Sequence, residues 1–271
     1  MGAASRESTA QAVAALDEVL HPGLIGRLRG TPDAIGDELL SASRAIGSSQ
    51  QLNTLLADPA TDATGRSGLV RRLFGKAFDR RTVHLLERIS ESRWSDPHDL
   101  VVAVELLGIR AHAMTSDDEA LDSELFAVQR AIRSDADLEL ALGNGASPVA
   151  ARLALVDRLL VNAAPATRAI VRHFVEAPGD DRFLESLQRA ERIVAEAGGR
   201  LVATAQVAHP LSATQVNALE ERLTAGYGRK IVVEQVIEPT LIGGVRITVG
   251  DDVIDGTVRA RLDDLRLRLA S

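Results

Sequence analysis

From about residue 8 to residue 198, apolar positions recur at steps of three and four, and the breaks between runs carry Gly, Pro, Asp or Ser. That spacing lays the apolar side chains along one stripe of an α-helix, so the whole stretch is predicted to be helical. The first helix is read over Ala10 to Leu20, and further starts fall at Thr31-Pro32 and Ser147-Pro148. At both, a hydroxyl can accept from a free N–H of the first turn, and the proline lacks an N–H that this turn would leave unused. After Gly198-Gly199 the period changes to two. Leu201 to His209 alternates as a strand ended by Pro210, and Lys230 to Ile237 is a β-branched run. Gly244 to Val249 sets Val245, Ile247 and Val249 on one face, and Val253-Ile254 forms a short fourth strand after a Gly250-Asp251-Asp252 turn. A helix between the first two strands opens on a capping box, Ser212 with Gln215, and a staple of Leu211 on Val216, and it is read to stop at Gly226. A last helix starts near Thr257.

The predicted fold is therefore α+β and multidomain: two tandem all-α bundles, then a small α/β domain in the order β-α-β-β-β-α. The division of the helical part comes from a repeat. Residues 35–77 align without gaps on residues 121–163 at a constant offset of 86, with roughly a third of positions identical. The matches include Glu38/Glu124, Arg44/Arg130, Ile46/Ile132, Leu52/Leu138, Leu56/Leu142, Arg66/Arg152, Leu69/Leu155, Val70/Val156 and Leu73/Leu159. The register survives Asp58-Pro59 and Asn144-Gly145, where chance similarity between Leu-rich helices would drift. The domains are expected at 1–115, 116–199 and 200–271. Two related bundles in series offer two similar grooves, which suits a protein that grips helices.

Composition narrows the function. A formal charge of -7 with no long Lys/Arg run leaves no footprint for nucleic acid or an anionic membrane, and points to proteins as partners. No cysteine is present, which removes disulfides, thiolate metal sites and a cysteine nucleophile. The start lacks a signal-peptide apolar core, and no run approaches a membrane span, so membrane association is expected only through another chain. Arg outnumbers Lys, which occurs only at Lys76 and Lys230, and Ala is abundant, as in GC-rich genomes.

Each candidate chemistry has a plainer reading. Asp251, Asp252 and Asp255 read as turn and cap residues rather than a hard-metal site. Gly226 to Lys230 follows a helix and precedes a strand, the reverse of a phosphate loop. His21, His84, His98, His112, His173 and His209 show no HExxH spacing and no convincing acid partner. No nucleophile elbow is present. No catalytic residue, cofactor or metal is predicted.

The run PTLIGGVRITVGDDVIDGTVRARLDDL, Pro239 to Leu265, resembles the C-terminal signature of the ATP synthase delta subunit family, equivalent to the mitochondrial oligomycin sensitivity-conferring protein. The residues that carry the resemblance are Gly243 and Gly244, Gly250 and Asp251, Asp255 and Gly256, and Arg259 and Arg261 before Leu262. Thr257 stands where the family commonly has Ser. The resemblance covers residues from about 200 to the end. It implies a non-catalytic stator subunit on the cytoplasmic face of the cell membrane, linking alpha subunits of the catalytic head to subunit b of the peripheral stalk. The duplicated bundle departs from the family, whose usual member has one.

The physical reading agrees that the signature is structural: glycines for turns, Asp255 and Thr257 for the free N–H groups of the last helix. In that helix Val258, Leu262, Leu265 and Leu269 fall at steps of four, three and four. This stripe is either a seam for a stalk helix or the face packed on its own sheet. The rival to the stator reading is a cytosolic helical-repeat adaptor that carries a delta-like C-terminal domain.

Overall fold

The computed structural model describes residues 1–20, 33–116, 118–143, 147–179, 181–198, 201–227, 231–238, 240–241, 243–249 and 252–256. The chain divides into two compact units, Met1–Val194 and Ala195–Ser271.

The first unit is helical: α1 (Ala3–Val19), α2 (Asp33–Gly47), α3 (Gln50–Ala57), α4 (Ala63–Phe74), α5 (Arg80–Glu91) and α6 (Pro97–Thr115), then α7 (Asp118–Ser134), α8 (Ala136–Gly143), α9 (Val149–Leu159), α10 (Pro165–Glu176) and α11 (Phe183–Ala197). The helix starting at Ala3 is seven residues longer at its N-terminus than the apolar run predicts, because Ser5 and Ser8 are buried and bonded to the main chain at Arg93 and Ser95. At the other predicted start Pro148, not Ser147, is the N-cap, and its carbonyl accepts from Ala151 and Arg152. The Thr31-Pro32 start lies outside the described residues.

The core of the first repeat is built where α2 crosses α6. Leu39, Ala42 and Ile46 from one helix meet Leu100, Ala103, Val104 and Leu107 from the other, all 2% exposed or less. Two glycines permit this approach: a Cβ on Gly108 would stand 2.8 Å from Leu40, and one on Gly36 would stand 2.7 Å from the His112 ring. α1 packs across α5 and α6, burying Ala12, Ala15 and Leu16, and α4 packs on α5.

The repeat continues past the aligned segment. α3 and α8 begin and end 86 positions apart, α4 and α9 begin 86 apart, and α6 and α11 begin 86 apart. α2 and α7 begin 85 apart, and α5 and α10 both begin and end 85 apart, so one residue is missing from the connection ahead of α10. Thus α2–α6 and α7–α11 are the same five-helix sequence written twice. In the second repeat α7 packs on α8 and α9 on α10, while α10 also meets α2 and α6, and α7 meets α6.

The second unit holds β1 (Leu201–Val207), α12 (Ala213–Tyr227), β2 (Ile231–Ile237), β3 (Val245–Val249) and β4 (Asp252–Asp255). The sheet order is β2-β1-β3-β4, with β1 and β2 parallel and the rest antiparallel. The parallel pair needs a crossover, which α12 supplies. Ala203, Ala205, Ile247, Val249, Ile231 and Val233 form the sheet's inner face, covered by Val216, Leu219 and Leu223 of α12. The capping box is present: Ser212 N–H donates to Gln215 Oε1 at 2.9 Å and Gln215 N–H to Ser212 Oγ at 3.4 Å. α12 runs through Gly226 to Tyr227, past the stop read there. Only Tyr227 follows it in the helix, so Gly226 sits in the last turn, at a cost of about 1 kcal/mol at most.

Candidate interaction surfaces

Three features of the described residues bear on function: the turn that carries the C-terminal signature, the paired helical repeats, and a buried charge network.

Gly243 and Gly244 sit immediately before β3 at φ of 156° and 84°. At 84° a β-branched side chain collides with its own backbone, so the turn needs glycine. Arg246 and Asp255 stand opposite each other across the β3–β4 ladder and form an ion pair at 3.0 Å. Asp255 therefore belongs to a strand and a cross-strand pair; the last helix, which it is read to cap, lies outside the described residues. Gly256 N–H closes the hairpin onto the Val245 carbonyl at 2.9 Å, and Tyr227 Oη reaches Asp252 at 3.3 Å. Of the remaining signature and stripe residues, Gly250, Asp251, Val258, Arg259, Arg261, Leu262, Leu265 and Leu269 lie outside the described residues.

The repeats share one polar device. Both carboxylate oxygens of Glu38 accept from the Asp79 N–H at 3.0 Å, and Oε2 accepts from the Thr82 hydroxyl at 2.5 Å. Asp79 is the N-cap of α5. In the second repeat Glu124 accepts from the Ala164 N–H at 3.0 and 3.2 Å and from the Thr167 hydroxyl, and Ala164 is the N-cap of α10. A negative charge thus meets the partial positive end of a helix and satisfies a free N–H, twice in one chain. Arg66 and Arg152, also matched, are both buried and hydrogen-bond to main-chain carbonyls: Arg66 to Glu91 at 3.1 Å, Arg152 to Leu142 at 3.3 Å.

The repeats differ in how they are filled. In the first, Phe74 and Phe78 stack at 5.0 Å between centroids. In the second, an apolar pocket of about 320 Å³ opens between α7, α8, α9 and α10, lined by residues that include Ile132, Leu138, Leu142, Val156 and Leu160.

The charge network joins the two repeats. Glu105 of α6 accepts from His173 Nε2 of α10 at 2.8 Å and from Arg189 of α11 at 2.8 Å. Arg44 of α2 lies 3.2 Å from the other ring nitrogen of His173 and pairs with Glu176 at 3.1 Å. Burial disfavours the charged form of Glu105, but the bond and charge of His173, with Arg189 behind them, outweigh it and hold the carboxyl below its ordinary range. His173 thus has the acid partner that the sequence reading missed. The pair spans 68 positions, and the one available signal was Glu105 alone in the apolar run Leu100 to Ile109. A polar cleft of about 730 Å³ borders this network. Among the described residues no group of three His, Asp or Glu is arranged to hold a metal ion.

Comparison with known proteins bears on both units. A family described as ATP synthase delta (OSCP) subunit matches residues 111–269, the second repeat with the α/β unit. Curated relatives extend over the first repeat as well. ATP synthase subunit delta of Leifsonia xyli is 41% identical over 100% of both chains. That of Streptomyces avermitilis is 34% identical over 99% of this chain and 98% of its own, and that of Thermobifida fusca 31% over 100% of both. In the mitochondrial ATP synthase hexamer of Toxoplasma gondii, one chain overlaps 56% of this chain and 87% of its own at 23% identity. Its TM-score of 0.39 is too loose to add to the fold. Whole-length matches leave no room for a delta-like domain borrowed by an unrelated helical adaptor. With the signature turn and these whole-length relatives in agreement, the chain belongs to the ATP synthase delta (OSCP) subunit family, and so to the stator of that enzyme.

Proposed function

We propose that the chain ties the catalytic head of the synthase to its peripheral stalk. Its helical bundles, residues 1–115 and 116–199, hold N-terminal helices of alpha subunits, and its α/β domain, residues 200–271, holds the end of subunit b. The observation that carries this reading is the division of one chain into two compact units of unlike architecture. Two partners are then held at once without competing for a surface, as a stator joint requires. Synthesis of ATP and passage of protons belong to other subunits, and this chain contributes rigidity instead of a catalytic group. It works at the cytoplasmic face of the cell membrane, peripherally and through the complex. Among the described residues, no helix is long and apolar enough to cross a membrane.

Within the α/β domain the family signature, Gly243 to Leu262, shapes the turn and hairpin, and the stripe of Val258, Leu262, Leu265 and Leu269 meets the stalk helix. Calorimetry of the full chain with an alpha N-terminal peptide and with a C-terminal fragment of b tests the assignment. Both are expected to bind, the alpha peptide with a stoichiometry of up to two. Leu262→Asp with Leu265→Asp is expected to lose b and keep alpha. Undiminished b binding by this folded variant rejects the stripe, and failure of the parent chain to bind either partner rejects the function.

A further inference from the structure

An arginine side chain has hydrogens to give and no lone pair to receive with, so a ring nitrogen that it approaches must accept. Arg44 Nη1 stands 3.2 Å from Nδ1 of His173. Nδ1 therefore bears no proton, and the ring is neutral with its hydrogen on Nε2, donated to Glu105 Oε2 at 2.8 Å. The side chain is 0% exposed, so both ring nitrogens meet protein groups alone.

A second proton has one place to go, Nδ1, and there it points an N–H at a donor that is itself positive. The two neighbours of the ring respond in opposite ways. A positive ring strengthens the bond that Glu105 already accepts, and this carboxyl, held below its ordinary range, stays ionised. Arg44 loses its acceptor and faces a like charge. It also has room to leave. Its side chain is 31% exposed, keeps Glu176 as a partner through Nε at 3.1 Å, and lines the polar cleft of about 730 Å³ beside Ser41, Ser48 and Asp181. The other charged groups around α10 are engaged elsewhere. Arg189 and Asp181 lie behind Glu105, Arg172 pairs with Asp157 and Glu176, and Glu124 holds the N-cap of the helix.

The contact that Arg44 would give up belongs to a joint, since Arg44 comes from α2 of the first repeat and His173 from α10 of the second. Beside it a gap of about 350 Å³ separates the same two helices, lined by Asp37, Leu40, Arg168 and Arg172 among others, so little apolar packing backs the polar tie there.

We propose that His173 is a proton-operated latch between the helical repeats. Neutral, it holds Arg44 and ties α2 to α10; protonated, it expels Arg44 into the cleft and loosens that tie. The latch sets how stiffly the repeats are joined, whatever partner either of them holds.

The chain has no cysteine, so two introduced ones take spin labels at chosen places only. Arg72→Cys and Glu139→Cys put them at exposed positions of α4 and α8, one in each repeat. Distance distributions of the labelled full chain are recorded as pH is lowered, alongside nitrogen-15 spectra of the histidine rings. At neutral pH the ring of His173 is expected to show its proton on Nε2, and the labels a single narrow distance. That distance is expected to broaden or shift over the pH range in which the spectra show Nδ1 taking a proton. His173→Gln, whose amide can donate to Glu105 and accept from Arg44 at every pH, is expected to stay narrow throughout, with all the other histidines still present. Arg44→Met, with no tie to release, is expected to be broad already at neutral pH. A proton on Nδ1 at neutral pH, a distance unchanged while the ring is protonated, or a ring that stays neutral until the chain unfolds each overturns the latch. So does a His173→Gln chain that broadens in acid as the parent does. If that variant fails to fold, Arg44→Met decides, and a narrow distance in it at neutral pH overturns the latch equally.

Discussion

The two helical repeats have the same frame and different contents. Both place five helices in the same order, and both bind the N-cap of their fourth helix with a glutamate from their first. The first repeat also has α1 laid across α5 and α6, and two phenylalanine rings in its core. The second has an open apolar pocket where those rings would be. The difference teaches that the frame depends on polar contacts to main-chain groups, whose loss strands a buried donor, while the apolar filling tolerates exchange.

The largest expected effect comes from breaking what joins the repeats. Glu105→Ala removes the carboxylate that accepts from fully buried His173 and from Arg189, which keeps Asp181 alone as its acid partner. Urea unfolding is expected to give a loss of about 3 to 5 kcal/mol. The same residue predicts an acid limb. Its carboxyl is held below the ordinary 4.5 in the folded state, so the stabilisation is complete above that value and is lost as pH falls through the lower folded value. Glu105→Gln is expected to flatten this part of the pH–stability curve, and an unchanged acid limb would assign it to other carboxylates.

Next in size are Glu38→Ala and Glu124→Ala. Each leaves an N-cap N–H and a threonine hydroxyl unsatisfied, at about 2 to 3 kcal/mol. Near-equal losses in thermal melts would support the shared frame, and a silent Glu124→Ala would break the comparison. A third change, Gly244→Val, lies outside both repeats. The positive φ costs a β-branched residue about 1 to 3 kcal/mol, confined to the α/β unit. Far-ultraviolet dichroism of the helices should hold while the α/β unit melts earlier. The smallest effect is Phe74→Leu, about 1 kcal/mol, which makes the first repeat resemble the second at one position.

What the sequence disclosed follows from how local each interaction is. The capping box of Ser212 and Gln215 spans three residues and was legible as a motif. The repeat was legible through Leu73/Leu159 and then lost, because the single missing residue before α10 shifts that helix out of the 86-residue register. The glutamate clamp, which reaches across 41 positions in one repeat and 40 in the other, and the matching starts of α6 and α11 reveal that the correspondence continues. The His173–Glu105 pair could not be read at all, since the packing of α10 on α6 creates it. Asp255 also pairs with Arg246 across the hairpin, a contact that its place just ahead of the last helix does not announce.

α6 belongs to both repeats, since it packs on α2 in one and on α7 and α10 in the other. On a chain emerging from the ribosome, the first repeat can close as soon as α6 has been made, and its outer face then waits as a finished template. The second repeat condenses on a wall already standing. A break in α6 would therefore cost the chain both the core of its first repeat and the surface on which the second packs.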